Sequence, residues 1–298
     1  MIQNHIGEST ALMVAIFWSM AAISFEYASK SVGSLPVNII RLILGFIFLG
    51  LLNFILRGLA FPSDASAHNW FWLTVSGLIG FVLGDYFLFK SYTIIGSWFA
   101  MLIMTLAPPM AAVFGRIILN ERIGGLAVIG MFITLCGITL TMFKPDRINR
   151  KMVLNKPFRG ILMAFMGAFG QALGIVFSKY GMQDYNAFAA TQIRILAGIA
   201  GFLVVITLGR KWKYVFDSLV NRKAMAGTAV GSFFGPFLGV SFSLYSVQHT
   251  STGIASTLMA MVPVFLIPAS MVFFGHRITV LEAAGAVISL AGVTLFFM

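Results

Sequence analysis

The chain has 298 residues, 59% hydrophobic and 10% charged, with a formal net charge of +11. A soluble domain carries about 25% charged residues, so this composition excludes an ordinary water-soluble fold. The single cysteine, Cys136, excludes an intrachain disulfide and a cysteine-based metal site; no metal or cofactor is expected, and Cys136 reads as a small packing residue.

Ten apolar segments follow in chain order: 10–29, 36–56, 70–91, 97–119, 124–143, 160–179, 187–208, 224–246, 253–274 and 279–298. Each is long enough to cross a ~30 Å hydrocarbon core as a helix. Helices are favoured there because lipid offers the backbone no hydrogen-bond partners. The expected fold is therefore an all-α integral membrane protein with ten transmembrane helices. Two basic stretches, 144–159 and 209–223, interrupt the apolar composition. Positive charge concentrated in such loops reads as topology control and contact with anionic lipid, not as nucleic-acid binding.

The halves are related. At an offset of 155, residues 97–143 lie on 252–298 without a gap, and twelve of the 47 positions are identical, Pro108/Pro263, Arg122/Arg277, Gly130/Gly285 and Gly137/Gly292 among them. The same offset matches Gly80, Leu83, Gly84 and Phe87 to Gly235, Leu238, Gly239 and Phe242. An offset of 153 matches Tyr27, Arg41 and Gly45 to Tyr180, Arg194 and Gly198. This gives a first repeat over 1–143, a basic linker over 144–159 and a second repeat over 160–298. Five segments per repeat is odd, so the second repeat enters the membrane from the opposite side. Inverted five-helix repeats are the architecture of many secondary transporters, with binding near the midplane.

Within the spans lie three basic residues, Arg41, Lys90 and Arg194, one deep acid, Asp85, and a shallower one, Glu26. Ionisable groups at membrane depth are functional candidates by default. At ~1.5 Å per residue, Glu26, Arg41 and Lys90 fall in one layer and Asp85 about 7 Å deeper, so one network is expected. Arg194, with Lys179 and Asp184 near it in sequence, approaches from the opposite leaflet. Asp85 is too short to reach the interface, which makes it the first candidate for proton coupling, with Glu26 second. Trp18, Tyr86, Tyr92, Trp98 and Tyr245 lie near the same depth and are candidates to stack on a substrate. Pro108 and Pro263 occupy equivalent positions and predict helix kinks. The repeat is broken at the charged layer: Val240 stands opposite Asp85, Tyr245 opposite Lys90, and Lys179 opposite Glu26. HExxH, a nucleotide-binding glycine loop and a paired aspartate in another span are all absent from the sequence, so an enzyme is not expected.

The stretch from Pro108 through Asn120-Glu121-Arg122-Ile123 to Gly130 and Gly137 resembles the end of an EamA domain. Pro263, Gly275-His276-Arg277-Ile278, Gly285 and Gly292 repeat it. With the arginines of segments 2 and 7, the resemblance covers nearly the whole chain and points to the ten-helix members of the drug/metabolite transporter superfamily. It implies an exporter of small metabolites such as amino acids, or of amphipathic drugs. It also implies a cavity lined by segments 1–4 and 6–9, with segments 5 and 10 peripheral. His276 departs from the pattern, which has Glu at that turn. The resemblance implies cytoplasmic termini, whereas the loops after odd segments hold thirteen Lys and Arg against four on the other side, which puts the termini outside the cytoplasm.

The reading is a secondary transporter working by alternating access in the inner or plasma membrane. A small-molecule substrate, membrane lipids and a proton are its expected partners, a monomer its plausible state, and no nucleic acid is expected. A channel, a lipid flippase and a non-transporting scaffold or receptor are the rival readings.

Overall fold

A computed structural model of the chain describes residues 5–95, 100, 103–142, 157–262, 264–265 and 280–296. Trp98, Pro263 and the side chain of Tyr92 lie outside the described residues, as does most of the basic linker. Every regular element among the described residues is helical. Two long helices open the chain, α1 (Ile6–Val32) and α2 (Ser34–Arg57). Next, α3 (Ala67–Gly77) passes through a π-helical stretch, π1 (Leu78–Asp85), into α4 (Tyr86–Ile95). Then come α5 (Ala107–Ile118), α6 (Gly125–Met142), α7 (Phe158–Met182), α8 (Ala187–Leu208) and the short α9 (Trp212–Ser218). In the later chain α10 (Arg222–Ser232) continues through π2 (Phe233–Gly239) into α11 (Val240–His249), followed by α12 (Thr252–Met259) and α13 (Val280–Thr294). Among the described residues, six helices are long and apolar enough to cross a membrane: Ile6–Val32, Ser34–Arg57, Ala67–Ser91, Phe158–Met182, Ala187–Leu208 and Arg222–His249.

Local chemistry sets the element ends. One residue, Gly33, joins α1 to α2 at φ 81° and ψ 163°, a backbone region that is essentially glycine's. The Tyr214 hydroxyl of α9 packs over the missing side chain. Gly58 ends α2 in the left-handed conformation, its N–H donating to the Phe54 carbonyl at 2.9 Å. Ser66 and Asn69 form a reciprocal capping box at the start of α3. Asn186 and Asn221 accept backbone N–H groups at the starts of α8 and α10.

The helices pack mostly across the repeat boundary. α1 lies on α10, π2, α11 and α12, while its repeat partner α7 lies on α3, π1, α4 and α5. α2 packs on α8, α5 on α12 and α6 on α13. Hydrocarbon gives no hydrophobic drive between helices, so close van der Waals approach carries association. Glycines permit that approach. A Cβ on Gly137 would fall 2.4 Å from the Ser289 nitrogen, and one on Gly292 2.5 Å from the Thr134 nitrogen. The paired glycines of segments 5 and 10 are therefore the seam between α6 and α13. Outward faces are apolar (Leu51, Phe54, Ile55, Phe132, Val204, Leu208) and exposed, as lipid contact requires. Cys136 is on such an exposed face, contrary to its expected packing role.

Two irregularities recur at the repeat offset. The π stretches occupy corresponding positions, Leu78 opposite Phe233 and Gly84 opposite Gly239. Helix also gives way to a turn at residues 105–106 and again at 260–261. Pro108 follows the first turn and sits in the opening turn of α5, where its missing N–H is harmless. The expected mid-helix kink is thus a break with a fresh helix start. The basic stretch 209–223 contains α9, whose Trp212 and Phe216 stack at 5.8 Å and stay exposed beside Lys211 and Lys213.

Candidate functional site

The charged centre is built around π1. Its glycines let α7 come close: a Cβ on Gly170 would lie 2.8 Å from the Gly84 Cα, and one on Gly174 2.9 Å from the Gly80 Cα. This brings Gln171 to Asp85, the last residue of π1. Gln171 Nε2 donates to Asp85 Oδ1 at 2.6 Å and reaches the Gly80 carbonyl at 3.4 Å. Arg41 of α2 makes a salt bridge to Asp85 Oδ2 through its Nη2. Its Nε donates to Asn38 Oδ1 at 2.9 Å, and its guanidinium lies 5.4 and 5.2 Å from the ring centres of Phe25 and Phe89. Arg41 and Asp85 are each only 6% exposed. Short π stretches are frequent at functional sites because they re-aim side chains out of helical register.

Arg194 of α8 approaches the other end of π1. Its guanidinium carbon lies 5.0 Å from the Phe81 ring centre, and a Cβ on Gly80 would sit 3.2 Å from its Nη2. Arg194 is 5% exposed, and its Nε has no hydrogen-bond partner among the described residues. Arg41 stands seven residues after the start of α2 and Arg194 seven after the start of α8. The two arginines thus come to π1 from opposite ends of the bundle, Arg41 pairing with Asp85 and Arg194 lying against Phe81.

The other candidates disperse. Glu26 pairs with Lys30 at 2.7 Å on an exposed face, so the expected layer of Glu26, Arg41 and Lys90 does not form as one network. Lys90 Nζ donates to the Tyr86 hydroxyl at 3.3 Å and lies over that ring. Trp18 packs against Gly239, and Tyr245 lies against His249 with ring centres 4.4 Å apart and the rings tilted by 40°. Sequence reasoning passed over Gln171 as a site residue. The available signal was its place opposite Trp18 at the 153 offset.

A second polar hub joins the helix ends that meet the N-terminal end of α1. Lys179 Nζ donates to Glu121 Oε1 at 2.7 Å and to the Thr250 carbonyl at 2.6 Å. Glu121 Oε2 accepts from Thr252 N at 2.9 Å and Thr252 Oγ1 at 2.7 Å, and the Thr250 hydroxyl donates to Glu8 at 2.7 Å. Glu121, the acid of the turn motif, thus ties α7 to the α11–α12 turn. A cleft of about 450 Å³ opens beside it, lined by Lys179, Tyr180, Asp184 and Gln248. Glu121→Gln is expected to lower the unfolding free energy by about 1–3 kcal/mol, the range for a part-buried charged hydrogen bond. Thermal unfolding in detergent, alone and in combination with Lys179→Gln, measures it.

At the same end, Arg57 pairs with Asp64, which accepts the Tyr185 hydroxyl at 2.8 Å. Burial, then the bond to Asp64, pushes the Tyr185 phenol up to about 12 from 10.0. For Asp64, burial acts upward, but the bond from Tyr185 and the Arg57 charge outweigh it and hold the carboxyl below its usual range. The signs follow from linkage. Tyr185 contributes stability in full below pH 10, and that contribution is lost as pH rises toward 12. Asp64 contributes above its unfolded value and loses that as pH falls through its lower folded one. Tyr185→Phe is expected to flatten the fall in Tm between pH 10 and 12, read from melting curves across that window.

Comparison with known proteins decides the family. The profile of the EamA-like transporter family matches twice, over residues 5–143 and 158–298. The chain belongs to the EamA-like transporter family. Similar proteins include an uncharacterized transporter of Archaeoglobus fulgidus, 27% identical over 135 residues, 45% of this chain and 46% of that protein. The match thus spans about half the length of the archaeal relative. The uncharacterized transporter YdfC of Bacillus subtilis is 23% identical over 226 residues, 74% of this chain and 69% of its own. A solved crystal structure shares the fold with a TM-score of 0.76 at 17% identity, covering 98% of this chain and 96% of that one. This EamA protein is accordingly a multi-pass membrane protein of a transporter family.

Proposed function

We propose that the protein is a secondary transporter with ten spans arranged as two inverted repeats, exporting small metabolites by alternating access across the inner or plasma membrane. Amino acids and amphipathic drugs are among the candidate solutes, and a proton is the candidate coupling ion. The carrying observation is the set of buried Arg41, Asp85 and Arg194 with part-buried Gln171, drawn from both repeats and gathered around π1 where helices of the two repeats meet. A static scaffold gains nothing from several ionisable groups at membrane depth, whereas a transport pathway uses them. The recurrence of π stretches and turns at the repeat offset supports the inverted reading. Asp85 serves as coupling acid, and the turns ahead of Pro108 and Pro263 give each half a point of flexure.

The test is transport by purified protein in liposomes, using a metabolite mixture with and without a pH gradient. Saturable movement of at least one solute is expected, and Asp85→Asn is expected to uncouple it from the gradient. Movement of no solute from the mixture would sink the transporter reading. Retained pH-driven transport in Asp85→Asn would remove Asp85 from coupling. Accessibility of tags at each terminus fixes the orientation.

A further inference from the structure

We infer that Arg194 is the receptor for a monoanionic carboxylate on the transported solute, so the substrate class is a small organic monocarboxylate and not a zwitterion or a cation. This rests on the transporter reading above and narrows it. Three observations carry it. Asp85 is already paired: one carboxylate oxygen takes Arg41 and the other takes Gln171. Among the described residues no ion pair joins it to Arg194, so its charge is matched by Arg41. Arg194 is left with a ring contact to Phe81 and a buried Nε that bonds to nothing among the described residues. Together Arg41, Arg194 and Asp85 carry one surplus positive charge.

The repeat shows where the missing anion belongs. Arg41 and Arg194 are equivalents, but Asp85, the acid of Arg41, has Val240 as its counterpart. The second half keeps the arginine and lacks the acid. A buried cation without a counterion is costly in lipid, and guanidinium is matched in geometry to a carboxylate. A single negative charge balances the cluster, whereas a dianionic phosphate over-compensates it. Gly80 contributes no side chain beside Nη2, and the guanidinium already lies over the Phe81 ring, which leaves its nitrogens to meet an anion.

The experiment uses the full chain, purified and also reconstituted in liposomes. Probes are phenylacetate and isobutyrate, their amides, L-phenylalanine, chloride and phosphate. Two readouts are taken, the ligand-induced shift in Tm and counterflow of labelled phenylacetate. The carboxylates are expected to raise Tm and to exchange. The amides are expected to do neither, and L-phenylalanine is expected to bind less tightly than phenylacetate. Arg194→Gln is expected to weaken carboxylate binding about 10–100-fold, as loss of a charge-assisted pair implies. Val240→Asp supplies the absent acid from the chain itself. It is expected to melt higher than wild type without ligand and to lose the carboxylate response. Equal responses to acids and amides, a response to chloride or phosphate alone, or an undiminished response in Arg194→Gln or in folded Val240→Asp would overturn the assignment. If other solutes move and Arg194→Gln moves them equally well, the transporter reading stands and this one falls. If no solute moves at all, the Tm readout still decides Arg194.

Discussion

Asp85→Ala is expected to abolish solute movement and to destabilise the folded protein by about 3–5 kcal/mol, the cost of stripping one partner from a buried ion pair. The size follows from what is left behind. Arg41 is 6% exposed, and its Nη2 loses its carboxylate while Gln171 Nε2 loses its 2.6 Å acceptor. The Asn38 bond and the flanking Phe25 and Phe89 rings hold the guanidinium in place, so it has no ready route to water. The double variant Asp85→Ala/Arg41→Met is expected to regain most of the lost stability, because a buried pair replaced as a pair by apolar groups is often neutral. Transport stays lost in both. Denaturation in detergent and liposome flux, run on the two variants, separate the folding role of the pair from its functional one.

Gly170→Val is expected to produce the second large effect. Its Cβ would meet the Gly84 Cα at 2.8 Å, the Gly84 nitrogen at 3.0 Å and the Ile79 carbonyl oxygen at 3.1 Å. All three are backbone atoms of π1, so no side chain can swing aside. α7 must move away from π1, at a cost of about 1–3 kcal/mol for overpacking. Gln171, the next residue, is carried off Asp85 with it. The expected outcome is a lower Tm and loss of transport. By contrast, valine at Gly58, where the added Cβ has no neighbour within 4 Å, costs only backbone strain at φ 70° and should leave flux intact. A Gly170→Val protein with wild-type Tm and flux would show that α7 and π1 do not depend on this contact.

Much of this was legible in the sequence. Long apolar runs fix helices, because lipid leaves the backbone no alternative. Rise per residue put Arg41 and Asp85 about 7 Å apart in depth, and the two are bonded. Depth does not fix azimuth, however. Glu26 lies at a suitable height but points to the exposed face and pairs with Lys30 four residues on. Gln171 escaped because a neutral amide among apolar residues gives a far weaker signal than a charge. The π stretches have no periodic signature that a 3.6-residue pattern detects, though Gly80/Gly84 and Gly235/Gly239 marked their positions. α9 was hidden inside a composition break, since seven residues with three aromatics and one lysine read as loop charge.

The Glu121–Lys179 hub has a consequence for the balance between the two sides. A scaffold whose halves match would leave its two access states equal in free energy, and neither side would be the resting one. At the turn equivalent to Glu121 the second half carries His276, and at the position equivalent to Lys179 the first half carries Glu26. The two repeats thus differ in charge at both positions, and the carboxylate that gathers Lys179, Thr252 and the neighbouring turn belongs to the first repeat alone. We hypothesise that this bias sets the state in which the empty carrier waits. Glu121→Gln would then change the rate at which a thiol reagent labels an Asp184→Cys reporter in the adjoining cleft, in a Cys136→Ser background, and an unchanged rate would refute the idea.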